Sequence, residues 1–81
     1  MKAYEEVVEW LAAGPSVRQV ADFQASPAVK ERVAGLLRKE KSVGLLPEEK
    51  SELDHYEQLE HIMRLAKARA AHRLAHEQLG S

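Results

Sequence analysis

Apolar positions recur every three or four residues in four successive blocks of this chain, and glycine, proline and serine separate the blocks. That is the period of an amphipathic helix, not the alternation of a half-buried strand. In the first block Tyr4, Val7, Val8 and Leu11 share a stripe, Glu5, Glu6 and Glu9 favour its N-terminal half, and Gly14 can take the left-handed conformation that ends a helix. In the second, Ser16 can cap the amide of Gln19 while the Gln19 side chain reaches back, and Val17, Val20 and Phe23 form the stripe. The third opens with Ser26 as a cap and Pro27 at the first helical position, turns Val29, Val33, Leu36 and Leu37 inward, and stops at Gly44.

The fourth block begins at Pro47, with Glu48 and Glu49 at the positive end of the helix dipole and Leu46 in a cap position that it cannot fill. Nothing breaks it before Gly80, which gives a helix of about 30 residues, roughly 45 to 50 Å long. Tyr56, Leu59, Met63, Ala66 and Ala70 recur along it at steps of three and four, flanked by Leu53, Ile62 and Leu74. The pattern predicts an all-α fold in one domain, residues 1–81. Three short helices (about 2–13, 16–24 and 27–43) precede one long C-terminal helix (about 47–79), and oligomerisation completes the helical bundle.

Length is what brings a second chain into the picture. A chain of 81 residues buries only about 60% of the surface that its unfolded form exposes. The apolar stripe continues through Ala70 and Leu74, past the point where three short helices are expected to shield it. Charge suggests how the stripe is covered: from Glu48 to Glu60 there are six acids and one base, Lys50, whereas from His61 to His76 there are Arg64, Lys67, Arg69 and Arg73 and no acid. An antiparallel pair would set acidic half against basic half, so a homodimer or higher oligomer is expected. The competing reading is that these charges only complement the dipole of their own helix.

Composition removes several classes of function. With no Cys there is no disulfide, thiolate metal site or Cys nucleophile, and a net charge of -1 with a pI near 6.4 exerts no general pull on nucleic acid. The basic residues Lys30, Arg32, Arg38, Lys39 and Lys41 are interleaved with Glu31 and Glu40 and have no aromatic among them for base stacking, so they read as a solvated face. The acidic, amphipathic start and the lack of a long apolar run point to a cytoplasmic protein that does not enter a membrane.

Candidate chemistry is thin. Glu52 and His55 have the Glu-x-x-His spacing of di-iron bundles, which need a second such motif and further inward carboxylates; this chain could supply them only as a dimer, from Glu57, Glu60 or His61. His72 and His76 stand four apart but lack a third ligand. Ser51, Asp54 and His55 are near neighbours on one helix and do not converge as a triad. No catalytic residue, metal site or cofactor is expected. Gly35 inside the third helix costs about 1 kcal/mol relative to alanine, which fits either close approach of another helix or a tolerant site.

The stretch from Ser26 to Ala70, and above all "ELDHYEQLEHIMRLAKARA", resembles the C-terminal part of a group of small bacterial antitoxin-like proteins marked by an "ELxxYxxLEHIMxLxKARA" helix, some of them encoded beside HNH-type nucleases. The match runs through Glu48, Glu49, Glu52, Leu53, Tyr56, Leu59, Glu60, His61, Ile62, Met63, Leu65, Lys67, Ala68 and Arg69. The resemblance implies a stoichiometric partner for a toxin or nuclease. Leu46 departs from it where a Ser or Thr cap should stand, and "MKAYEEVVEWLAAG" does not resemble a ribbon-helix-helix region, so operator binding is not implied. The expected function is that of a non-catalytic helical interaction protein. The alternatives are a self-assembling structural protein and a dimeric metal-binding bundle. The expected partner-binding residues are Tyr56, Leu59, Glu60, Ile62, Met63, Arg64, Ala66 and Lys67, an apolar patch with a charged rim. The same patch could instead be core, packed under Val33, Leu36 and Leu37.

Overall fold

The computed structural model describes the backbone of residues 2–80 and the side chains of residues 2–77. The described residues form helices α1 (Ala3–Ala12), α2 (Val17–Ala21), α3 (Pro27–Ser42) and α4 (Pro47–Gly80), with no strand among them. The stops follow the chemistry of the chain. Gly14 and Gly44 take φ values of +72° and +90°, which side-chain-bearing residues rarely adopt, and the Gly44 N–H donates to the Lys39 carbonyl at 2.9 Å.

Caps hold the starts. Both arms of the Ser16 and Gln19 box are made, at 2.8 and 3.2 Å, and Ser26 Oγ accepts from the Val29 N–H at 3.2 Å ahead of Pro27. α1 has no side-chain cap of its own, since Lys2 supplies none. Glu52 of α4 does this instead, accepting the Ala3 N–H at 3.0 Å across 49 positions of sequence. Leu46 cannot cap α4, but Glu49 reaches back to its N–H at 2.9 Å, so half of a capping box survives.

α2 is shorter than expected, ending at Ala21 instead of running to Gln24. Ser26 must be extended to feed Pro27, and Phe23 leaves the helix to set its ring edge-on to Trp10, with centroids 4.3 Å apart.

α1 runs beside α4 in the same direction, with Ala3 level with Glu52, while the carbonyl of Phe23 in the α2–α3 connection lies level with Lys67, whose Nζ donates to it at 2.7 Å. α3 returns antiparallel, and α2 packs across the second half of α4. The core is Ala3, Val7, Val29, Tyr56 and Met63, with Trp10, Phe23, Val33 and Leu59 closing around it. α1 and α2 therefore cover the α4 stripe in series: Tyr56, Met63 and Ala70 are all buried. The expectation that three short helices leave this stripe open is corrected here. α2 has only five residues, little more than one turn, but it continues the cover beyond the end of α1. α4 still makes the molecule long, 55 × 23 × 19 Å.

Candidate functional site

α3 presents Lys30, Val33, Ala34 and Leu37 at i, i+3, i+4 and i+7, one face of a helix, toward α4. Across from it α4 presents Tyr56, Glu60, Met63, Arg64 and Lys67. Between them lies an open groove of about 450 Å³, with Val7 in its floor and Phe23, Gln24 and Ala25 at one end. Its lining is apolar at depth and charged at the lips, where Lys30, Arg64 and Lys67 outnumber Glu60.

Two ion pairs hold the groove open at a fixed angle. Arg32 grips Glu52 with two hydrogen bonds, Nε to Oε2 at 2.9 Å and Nη2 to Oε1 at 2.8 Å, and Lys39 Nζ donates to Glu49 at 2.8 Å. Both pairs join α3 to α4 at the closed end; beyond them the two helices touch little. The Arg32 guanidinium holds the Glu52 carboxyl below its ordinary range, with help from the Ala3 N–H and against the effect of burial. Glu49 is lowered likewise, by Lys39 first and then by the Leu46 N–H, and Arg32 is raised by its bonds to Glu52. Burial pushes the Tyr56 phenol up from its usual value, and the charges of Glu60 and Glu6 add to that.

Five of the eight residues expected to bind a partner, Tyr56, Glu60, Met63, Arg64 and Lys67, line this groove. Tyr56 and Met63 lie at its base and belong to the core as well. Leu59 packs against the core, Ala66 is half-buried, and Ile62 is exposed. The patch read from sequence as continuous is therefore divided between buried residues and Ile62. Lys67 is no free rim charge, because its ammonium is tied to the Phe23 carbonyl. Arg64 makes a loose 3.7 Å pair with Glu60 and stays exposed.

Half of the α3 wall is legible in the sequence: Val33 and Leu37 are expected over the α4 patch and line the groove, whereas Lys30 and Ala34 are not assigned to it. Leu36 and Leu37 were both turned inward, yet consecutive helical residues point about 100° apart. Leu36 is buried and Leu37 faces the groove.

The other constellations resolve differently. Glu52 spends both carboxylate oxygens on Arg32 and Ala3, and His55 meets Tyr4 edge-on at 5.2 Å, so the Glu-x-x-His pair is structural. His72 and His76 contact each other, rings 4.7 Å apart, and among the described residues no group of three His, Cys, Asp or Glu could hold a metal ion. Ser51 Oγ lies 3.4 Å from His55 Nδ1 on an open helix surface. In the basic cluster Arg32, Lys39 and Arg38 are paired with Glu52, Glu49 and Glu31. A Cβ at Gly35 would meet only the Arg38 side chain, at 3.7 Å, so among the described residues no other helix approaches closely there. No helix among the described residues is long and apolar enough to cross a membrane. No protein-family model, curated protein or solved structure matches this chain.

Proposed function

We propose that this chain is a non-catalytic interaction protein, an antitoxin-like partner that binds a toxin or nuclease through α4, with an acidic amphipathic helix of that partner lying in the groove between α3 and α4. The observation that carries the reading is the groove itself. An apolar floor along two helices, lipped by Lys30 and Arg64, takes the apolar side of a helix and draws acidic residues to its edges. Arg64 is the best placed to form a bidentate pair with such a carboxylate, its present bond to Glu60 being long.

The test uses the protein that copurifies with the chain at a fixed ratio from its native host. Its affinity is measured by calorimetry for wild type, Leu37→Glu and Arg64→Glu, with helicity followed by circular dichroism. Both side chains are exposed or nearly so, and both variants should fold. Affinity should fall at least about tenfold in each, and suppression of the partner's toxicity or nuclease activity should fall with it. Unchanged affinity in both variants would place the interface elsewhere.

A further inference from the structure

The groove leaves the opposite flank of α4 unaccounted for. There Ile62 and Leu65 are 55% and 58% exposed, and on α1 Val8 and Leu11 are 45% and 41% exposed. Helical spacing sets these four residues along one side of the α1–α4 pair. Tyr4 of α1 touches His55 of α4, and the two helices run the same way, so two turns further along each helix Leu11 comes beside Ile62. Val8 and Leu65 extend the patch outward on either side. None of them lines the groove.

We infer that this seam of α1 and α4 is a homodimer face, occupied by the same seam of a second copy laid antiparallel about a twofold axis. Three observations favour a copy of this chain over a foreign partner. First, Ile62 and Leu65 are exposed one turn apart on α4, symmetric about the point between Met63 and Arg64. A twofold axis there sets Ile62 against Leu65 of the other copy, which is the self-complementarity that an isologous contact demands. Second, the exposed charges of α4 that are neither paired with α3 nor on the groove lip include Asp54 before that point and Arg69 and Arg73 after it. In this register exposed Asp54 meets Arg73 of the other copy. Third, the chain exposes 5936 Å², whereas a compact monomer of 9.1 kDa is expected to expose about 4,900 Å². The excess of about 1,000 Å² leaves room for the roughly 800 Å² that one partner contributes to a standard interface.

This inference does not depend on the groove reading, and a groove variant such as Leu37→Glu should leave the dimer intact. Light scattering after size exclusion should give twice 9.1 kDa for the wild type at about 100 μM. Ile62→Glu with Leu65→Glu should give a monomer of undiminished helicity, since both positions are exposed. A monomeric wild type at that concentration, or a double variant that remains dimeric, overturns the proposal.

Direction is tested separately, by cross-linking. The chain has no Cys, so single Gln58→Cys and Arg69→Cys chains each carry one thiol. In the antiparallel register position 58 faces position 69, so a mixture of the two should oxidise to a disulfide-linked heterodimer while neither cross-links alone at a comparable rate. Rapid cross-linking of each chain with itself would mean a parallel pair and overturn the twofold arrangement. The cross-linking result holds even if the double Glu variant fails to fold.

Discussion

Removing Arg32 should cost more than neutralising Glu52, although the two residues belong to one ion pair. Glu52 is 3% exposed and Arg32 47%. In Arg32→Met the carboxylate loses both charge-assisted bonds and keeps one, from the Ala3 N–H, in a place that water reaches poorly. Stranding a charge by removing its partner costs about 3 to 5 kcal/mol when both members are buried, and the half-exposed guanidinium puts this pair at the low end, about 3 kcal/mol. Glu52→Gln strands nothing, because Arg32 can turn to solvent and the amide oxygen still accepts one bond. Its cost is about 1.5 to 2 kcal/mol.

Against a total stability of about 4 to 12 kcal/mol for a chain of this size, the first substitution should lower Tm by roughly 12 to 24 °C. Urea titrations followed by far-ultraviolet circular dichroism and by the fluorescence of Trp10 give both values. The pH dependence carries the same logic. The folded-state value of Glu52 lies below its ordinary 4.5, so the pair's stabilisation is present above that pH and is lost as pH falls through the folded value. In Arg32→Met burial is left weakly opposed and the carboxyl value rises, so the gap between this variant and wild type should narrow as the pH falls from 7 through the ordinary carboxylate range. A larger cost for Glu52→Gln than for Arg32→Met, or a gap indifferent to pH, would refute the reasoning.

Three other substitutions follow from single contacts. Gly35→Ala should stabilise by about 0.5 to 1 kcal/mol, read by urea denaturation, because its methyl meets only the flexible end of Arg38. Leu46→Ser should add about 0.5 to 1 kcal/mol in the same assay by completing the box that Glu49 half makes. Lys67→Ala should destabilise by about 1 to 2 kcal/mol through loss of the bond to the Phe23 carbonyl, whereas Arg64→Ala should stay within about 0.5 kcal/mol; equal effects on Tm would mean that Lys67 anchors nothing.

Local signals were legible in the sequence and long-range ones were not. Gly14, Gly44, Ser16 with Gln19, and Ser26 with Pro27 act within a few residues of themselves, and each does in the structure what its neighbours imply. The capping of α1 by Glu52, the grip of Arg32 on Glu52 and the anchoring of Lys67 to Phe23 join residues 49, 20 and 44 positions apart. Periodicity says that Glu52 shares a face with Tyr56 and Met63; it does not say that an N–H and a guanidinium wait there. The stripe on α4 was read correctly as apolar and wrongly as uncovered, because a pattern marks which face is buried and not which element buries it. Part of the groove was visible for the same reason. Its α4 wall lies on a recognisable stripe, as do Val33 and Leu37 of α3, while Lys30 and Ala34 join the wall only through the angle at which Arg32 and Lys39 hold α3.

The length of α4 follows from this geometry. A helix covered by two partners in series must outlast each of them: α1 occupies the stretch from Glu52 past Tyr56, and α2 takes over near Lys67 and Ala70. Since α1 and α3 flank only part of its circumference, α4 keeps one flank for the groove and another for the seam. Met63, Arg64 and Leu65 are consecutive, yet they fall in the core, on the groove lip and on the opposite exposed face. Successive substitution by Glu should therefore separate three properties: Met63→Glu unfolds the chain, Arg64→Glu weakens partner affinity in a folded dimer, and Leu65→Glu weakens the dimer while leaving partner affinity in place. Loss of the same property in all three variants would show that α4 has one functional face instead of three.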